Sequence, residues 1–175
     1  MHSSHPLELF PGRTVTLMLF KCVRNPAELR RSAMGGQITA ALINPKMLVD
    51  PFQVIVAANK AVHLQTIGKM KTRSLNSEII FNLSPTNNIS EAFKRFGISD
   101  ADDSVLVVLV ATGAESQTLA DIKEKVDGEQ VPMEELPTLS DVTQIRKLYK
   151  VTPQEEKMGG LLDSVVCKMA TKDVM

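Results

Sequence analysis

Seven consecutive apolar residues, VLVVLVA at 105–111, set the first limit on the fold. The run is rich in β-branched valine and offers no polar side to water, so it predicts a strand covered on both faces. It is the longest apolar run in the chain and falls far short of the ~20 residues of a membrane helix. A strand buried on both faces needs layers above and below it. The 175 residues supply them. A chain of this length makes one domain, or at most two very small ones, and buries roughly 70% of its unfolded surface without disulfides or metals. Residues 1–175 are read as one domain.

The punctuation around that strand is regular. LELF (7–10) and RTVTLMLF (13–20) read as short strands joined by the Pro11-Gly12 turn. NPAELRRSAMGG predicts a helix capped by Asn25, with Pro26 at its first position, Glu28 three residues past the cap and Gly35 after its end. Gly35-Gly36 lacks the G-x-x-x-x-G-K spacing and follows a helix, so it is a stop and not a phosphate loop. DPFQVIVAANKAVHLQTIGKM begins the same way, with Asp50, Pro51 and Gln53. Along it Val54, Ala57, Ala58, Ala61, Val62 and Leu64 share one arc, and Gln53, Asn59, Lys60 and His63 the other. SEIIFNLS (77–84) reads as another apolar strand. Helices are predicted over 89–96, 116–126, 141–149 and 153–169, with QVPMEELPTL as irregular structure. SPTNNIS (84–90) is then a strand-to-helix turn in which Asn88 caps and Glu91 completes the box. A helix start of this kind can also receive a phosphate or carboxylate. The elements predict an α/β fold of the α+β kind, a small mixed or antiparallel sheet packed by several helices.

Chemistry of the usual kinds finds no residues here. Neither H-E-x-x-H, G-x-S-x-G, a Walker loop, a dinucleotide fingerprint nor a kinase signature occurs. His2 and His5 fall on an N-terminal tail and His63 on a polar helix face, so no metal site is expected. Asp102-Asp103, Glu134-Glu135 and Glu155-Glu156 read as solvated charge. Cys22 and Cys167, the only cysteines, form no C-x-x-C pair and read as reduced core residues. MHSSHPLELFPG has no basic start followed by an apolar stretch, so a soluble intracellular protein is expected. No catalytic residue and no cofactor is assigned.

Charge is unevenly distributed although it sums to zero. Residues 1–99 carry 12 Lys/Arg against 5 Asp/Glu, whereas residues 100–141 carry 2 against 11. Folding can segregate these segments into a basic and an acidic region, or interleave them. Lys60, Lys69, Lys71 and Arg73 fall in a stretch without acidic residues, and GKMKTR reads as a flexible cationic connection able to meet RNA phosphates. There is no tryptophan and no RNP-type aromatic motif to read bases. A second surface is TPQEEKMGGLLDSVVCKM, capped by Thr152 with Pro153 and Glu155. Its Met158, Leu161, Leu162, Val165, Val166 and Met169 form a helical stripe. Gly159-Gly160 inside the helix costs roughly 1 kcal/mol per glycine and suggests close approach of another backbone.

KTRSLNSEIIFNLSPTNNISEAFKRFGI, with INPKMLVDPFQVIVAANKAVHL before it and IRKLYKVTPQEE and LLDSVVCKMATKDV after it, resembles the family of PRPK-binding proteins. The likeness runs from LFPGRTVTLMLFKCV almost to the C-terminus. That family are subunits of the KEOPS, or EKC, complex, which makes N6-threonylcarbamoyladenosine in tRNAs reading codons that begin with adenine. The resemblance implies a compact mixed α/β domain in the cytoplasm and nucleus. It implies a non-catalytic subunit that binds the small atypical kinase/ATPase of the complex and, through it, meets the threonylcarbamoyl transferase subunit. The terminal stripe is the candidate kinase contact. Related archaeal members grip the tRNA 3′ end, which carries an RNA contact onto Asn87 and Asn88 beside the lysines. Three classes of function stand: kinase-binding accessory subunit, tRNA-binding module, and an enzyme, for which no residues come forward.

Overall fold

The computed structural model describes residues 3–7, 10–111 and 116–171. Its order is β1 Ser3–Pro6, β2 Thr14–Lys21, α1 Pro26–Met34, β3 Ala41–Ile43, α2 Pro51–Thr66, α3 Leu75–Leu83, α4 Ile89–Phe96 and β4 Val105–Ala111, continuing with α5 Ser116–Lys125, β5 Glu129–Val131, α6 Leu136–Leu139, α7 Val142–Tyr149 and α8 Pro153–Thr171. The result is a mixed α/β fold whose five strands pair antiparallel throughout. β2 and β4 form its centre, in register from Thr14 opposite Ala111 to Phe20 opposite Val105. β3 pairs with the far edge of β4, while β1 and β5 share the far edge of β2 end to end.

The strand at 105–111 is covered on both faces, as its composition demands. Leu106 and Val108 join Val15, Leu17 and Leu19 of β2 in a core closed by α2, α3, α7 and α8. Val105, Val107 and Leu109 join Met18 and Phe20 in a second core, closed by Leu29 of α1 and Ile122 of α5. Alternation along each strand divides the side chains between these layers. The small Ala57, Ala58 and Ala61 of α2 are all buried in the first core, letting that helix lie close to its neighbours.

Local signals hold where their partners are local. Asp50 Oδ1 accepts from Phe52 N at 2.9 Å, Asn88 Oδ1 from Glu91 N at 3.1 Å and Thr152 Oγ1 from Glu155 N at 3.1 Å. Gly35 ends α1, its N–H bonding Arg31 O at 2.9 Å. The basic and acidic segments interleave, with ion pairs that include Lys21–Glu135, Arg30–Asp100 and Lys46–Asp103.

The structure corrects several expectations. Residues 75–83 form helix α3, not a strand. A period of two treats Glu78 and Asn82 as a wet face; in the helix they lie one turn apart, both buried. Asn82 Nδ2 donates to the Ala57 carbonyl of α2 at 3.2 Å, and Glu78 takes donors from the preceding loop. Ser74 caps the helix by accepting from Ser77 N at 3.1 Å. A cap worth ~1 kcal/mol and tertiary packing outweigh the few tenths lost per β-branched residue. SPTNNIS therefore joins two helices.

The first described strand is Ser3–Pro6; Leu7 and Phe10 of LELF are not in it, and Glu8 and Leu9 lie outside the described residues. The loop after it is closed by its own bonds, Leu7 N to Arg13 O and Arg13 N to Phe10 O, both 3.0 Å, with Gly12 at φ +85°. His5 accordingly pairs opposite Val15 instead of lying on a free tail. Asn25 stands at the cap of α1 but its oxygen caps no helix N–H: it accepts from Asp127 N at 2.9 Å, while Nδ2 donates to Lys125 O at 2.9 Å and to Glu28 Oε2 at 3.4 Å. Gln53, expected on the polar side, is fully buried, because Val49 N and the Tyr149 hydroxyl satisfy both ends of its amide. QVPMEELPTL holds β5, a 3-10 turn at Met133–Glu135 and α6. Cys22 and Cys167 are exposed rather than core: Cys22 follows β2 at φ +55°, and Cys167 rides the outer side of α8.

Candidate functional site

Three surfaces carry the residues of interest. On α8 the predicted stripe divides. Gly160 adopts φ +85°, ψ 165°, which breaks the helix and separates Met158 from the residues after it. A Cβ added at Gly160 would meet nothing within 4 Å, so the glycine serves the kink and not a close backbone approach. Beyond the kink, Val165 and Met169 point into the first core and are buried, and Leu161 packs on its margin. Leu162 and Val166, one turn apart, stay half-buried, and Met158 is 90% exposed. The short arm before the kink is held at both glutamates. Arg146 of α7 grips Glu156 with two bonds, Nε to Oε2 at 2.8 Å and Nη2 to Oε1 at 2.5 Å, while Lys168 lies 3.5 Å from Glu155. The hydrogen bond from Arg146 holds the Glu156 carboxyl below its ordinary range and raises the guanidinium in return.

The second surface is the connection between α2 and α3. It is tied, not flexible. The buried Glu78 accepts from Lys71 N at 3.2 Å, Thr72 N at 3.0 Å and Thr72 Oγ1 at 2.6 Å. Lys71 Nζ lies over the Phe81 ring, 5.9 Å from its centre. Lys69 and Arg73, flanking the tied residues, are exposed and have no carboxylate partner among the described residues. Lys60 sits apart on α2, half-buried. Asn87 and Asn88 are exposed beyond the other end of α3, whose nine residues span ~13 Å. The cationic loop and the two asparagines are thus at opposite ends of one helix.

The third surface has no counterpart among the sequence expectations. A groove of about 670 Å³ opens between α1, α3, α4 and β3. Met34, Ile38, Ile80, Phe93 and Ile98 give it an apolar lining, and Arg30 and Lys94 add charge. The first turns of α3 and α4 face it through Ser74, Ser77 and Ser90. Met34 is 77% exposed there and Phe93 36%. Arg73 directly precedes Ser74, so the cationic loop ends at the lip of the groove. Two helix starts and Lys94 favour an anion, Arg30 being already paired with Asp100, and the apolar lining favours a flat or aliphatic body attached to it. Its residues come from segments about sixty positions apart, and α3 itself is hidden behind a strand-like composition. The one local hint is Phe93, an aromatic residue of α4 that stays 36% exposed while Ala92 and Phe96 of the same helix are buried.

Comparison with known proteins adds three findings. A family model described as kinase binding protein CGI-121 matches residues 20–173. The EKC/KEOPS complex subunit TPRKB of Danio rerio is 61% identical over 174 residues, covering 99% of each chain. The EKC/KEOPS complex subunit cgi121 of Aspergillus fumigatus is 32% identical over 144 residues, covering 78% of this chain and 76% of that protein.

Proposed function

This chain belongs to the kinase binding protein CGI-121 family, and from that premise we propose that it is a non-catalytic accessory subunit of the EKC/KEOPS complex. It binds the small atypical kinase/ATPase of the complex and modulates formation of N6-threonylcarbamoyladenosine in tRNAs reading codons that begin with adenine. It reaches the threonylcarbamoyl transferase subunit through that kinase, in the cytoplasm and the nucleus. The observation that carries the reading is the outer side of α8. Leu162 and Val166 are incompletely covered and Met158 is bare, so this part of the stripe has apolar area left for a partner. Val165 and Met169 serve the chain's own core and Leu161 packs on its margin, so the contact is expected chiefly at Met158, Leu162 and Val166. Added to the other subunits, the chain is expected to change the rate of tRNA modification, and alone to hydrolyse no ATP and modify no tRNA. Turnover by the purified single chain, abolished by a point mutation within it, would overturn the reading.

A second reading, recruitment of the tRNA 3′ end, is favoured by the groove. Unpaired nucleotides need apolar surface for their bases and cations for their phosphates; the groove supplies the first, and the loop that carries Lys69 and ends with Arg73 next to the lining residue Ser74 supplies the second. Replacing Lys69, Lys71 and Arg73 together with glutamate is expected to weaken tRNA binding in the folded protein. It should also flatten the salt dependence by up to ~0.7 log units for each phosphate that is no longer neutralised. Unchanged affinity and slope would mean the cations are merely solvated.

A further inference from the structure

Glu78 is an acidic residue buried inside the most cationic stretch of the chain, and the binding surfaces described above make no use of it. Its side chain is inaccessible to water. It lies in the first turns of α3, where the helix N-terminus favours negative charge. Nearly all its bonding converges on Oε2, which accepts from Lys71 N, Thr72 N and Thr72 Oγ1 at 3.2, 3.0 and 2.6 Å. These donors lie six and seven residues upstream, so the carboxylate folds the connection back onto its own helix. The residues on each side of the tie are Arg73 and, before Met70, Lys69, both exposed. Helix α3 needs no such clasp to begin, since Ser74 already caps it.

We propose that Glu78 is a positioning residue of the nucleic-acid surface: its buried carboxylate ties Lys71 and Thr72 so that Lys69 and Arg73, on either side, stand as a preset pair of cations on the loop that leads to the groove. The proposal rests on the tRNA reading given above. Long cationic side chains on a mobile loop must be ordered when they bind, and a loop ordered beforehand avoids part of that loss. The carboxylate thus favours RNA binding without touching RNA, although its charge alone opposes it.

The test compares variants of the full chain by hydrogen exchange at the Lys71 and Thr72 amides and by affinity for an unmodified tRNA transcript. Glu78→Ala is expected to release both amides and weaken tRNA binding about ten-fold. Glu78→Gln keeps an acceptor oxygen and is expected to restore protection and affinity. Asn82→Ala, one turn along, removes another buried hydrogen bond and is expected to lower stability while leaving loop and affinity unchanged. Thr72→Val removes one donor from an exposed connection, and should give an intermediate loss even if Glu78→Ala does not fold. The proposal is overturned if the loop amides are released and affinity holds while the triple glutamate variant still binds weakly; the tRNA reading then survives. If the triple variant binds tRNA normally, that reading has failed and the positioning role falls with it. Equal losses in Asn82→Ala and Glu78→Ala would reduce Glu78 to a stabilising residue.

Discussion

Val165→Glu is expected to unfold the protein, and Val166→Glu, one residue further on, to leave it folded and unable to hold its kinase. The two valines differ by ~100° around α8. Val165 is fully buried against the core shared by β2, α2 and α7. A carboxylate placed there has neither solvent nor a partner and costs several kcal/mol, against a total stability of ~5–15 kcal/mol for a domain. Val166 and Leu162 lie on the adjoining half-covered strip, where a glutamate side chain can reach water. Charge at that strip leaves the core alone and places an uncompensated anion in the proposed interface. Thermal unfolding and titration with the purified kinase separate the two outcomes. Leu162→Glu should behave as Val166→Glu does, and Met158→Glu tests whether the short arm before Gly160 also takes part. If every substitution that abolishes binding also lowers the melting temperature by the amount seen at Val165, α8 is only core and the kinase docks elsewhere.

What can be read from the sequence is what its nearest neighbours determine. Asp50, Asn88 and Thr152 are caps because a side-chain oxygen meets an amide two or three residues on, and no tertiary partner is needed to complete that bond. VLVVLVA declares a strand buried on both sides because nothing in it tolerates water. The errors share a different cause: polar residues that periodicity gives to solvent are satisfied by distant partners. Gln53 finds its partner in Tyr149, and Asn82 in Ala57. Glu78 disguises both a helix and the tethering of the loop before it. The apolar stripe of α8 shows the same limit in reverse. Its period places six apolar residues on one face, but Gly160 at positive φ separates the first of them, and packing into the core beside α2 and α7 buries two more. The groove has no local signature, being assembled from three helices and the short edge strand β3.

Tyr149→Phe is expected to lower stability by about 2–5 kcal/mol at neutral pH, a large effect for the removal of one oxygen atom. The hydroxyl, fully buried, donates to the Leu83 carbonyl at the end of α3 and accepts from Gln53 Nε2 of α2 at 3.0 Å. Phenylalanine fills the same space and retains the edge-on packing with Phe96, ring centres 6.0 Å apart, so no cavity contributes. What remains is desolvation: a buried carbonyl and a buried amide each lose a partner, at about 1–3 kcal/mol apiece. A double-mutant cycle with Gln53→Leu should show less than additive loss, since the second substitution removes one of the orphaned groups. The pH dependence gives a separate check. Burial pushes the phenol above its ordinary pKa of about 10, with the Gln53 bond acting the other way. The folded state therefore holds a proton that the unfolded chain releases, so this contribution is complete below pH ~10 and is lost as pH rises beyond it. Urea unfolding at pH 7 and pH 11 should accordingly show the gap between wild type and Tyr149→Phe narrowing at the higher pH. Equal stability of the two proteins at pH 7 would sink the account. If it holds, one hydroxyl joins α7, which leads into α8, to α2 and to the last turn before SPTNNIS. Loosening it should then disturb the kinase-facing and groove-facing sides together.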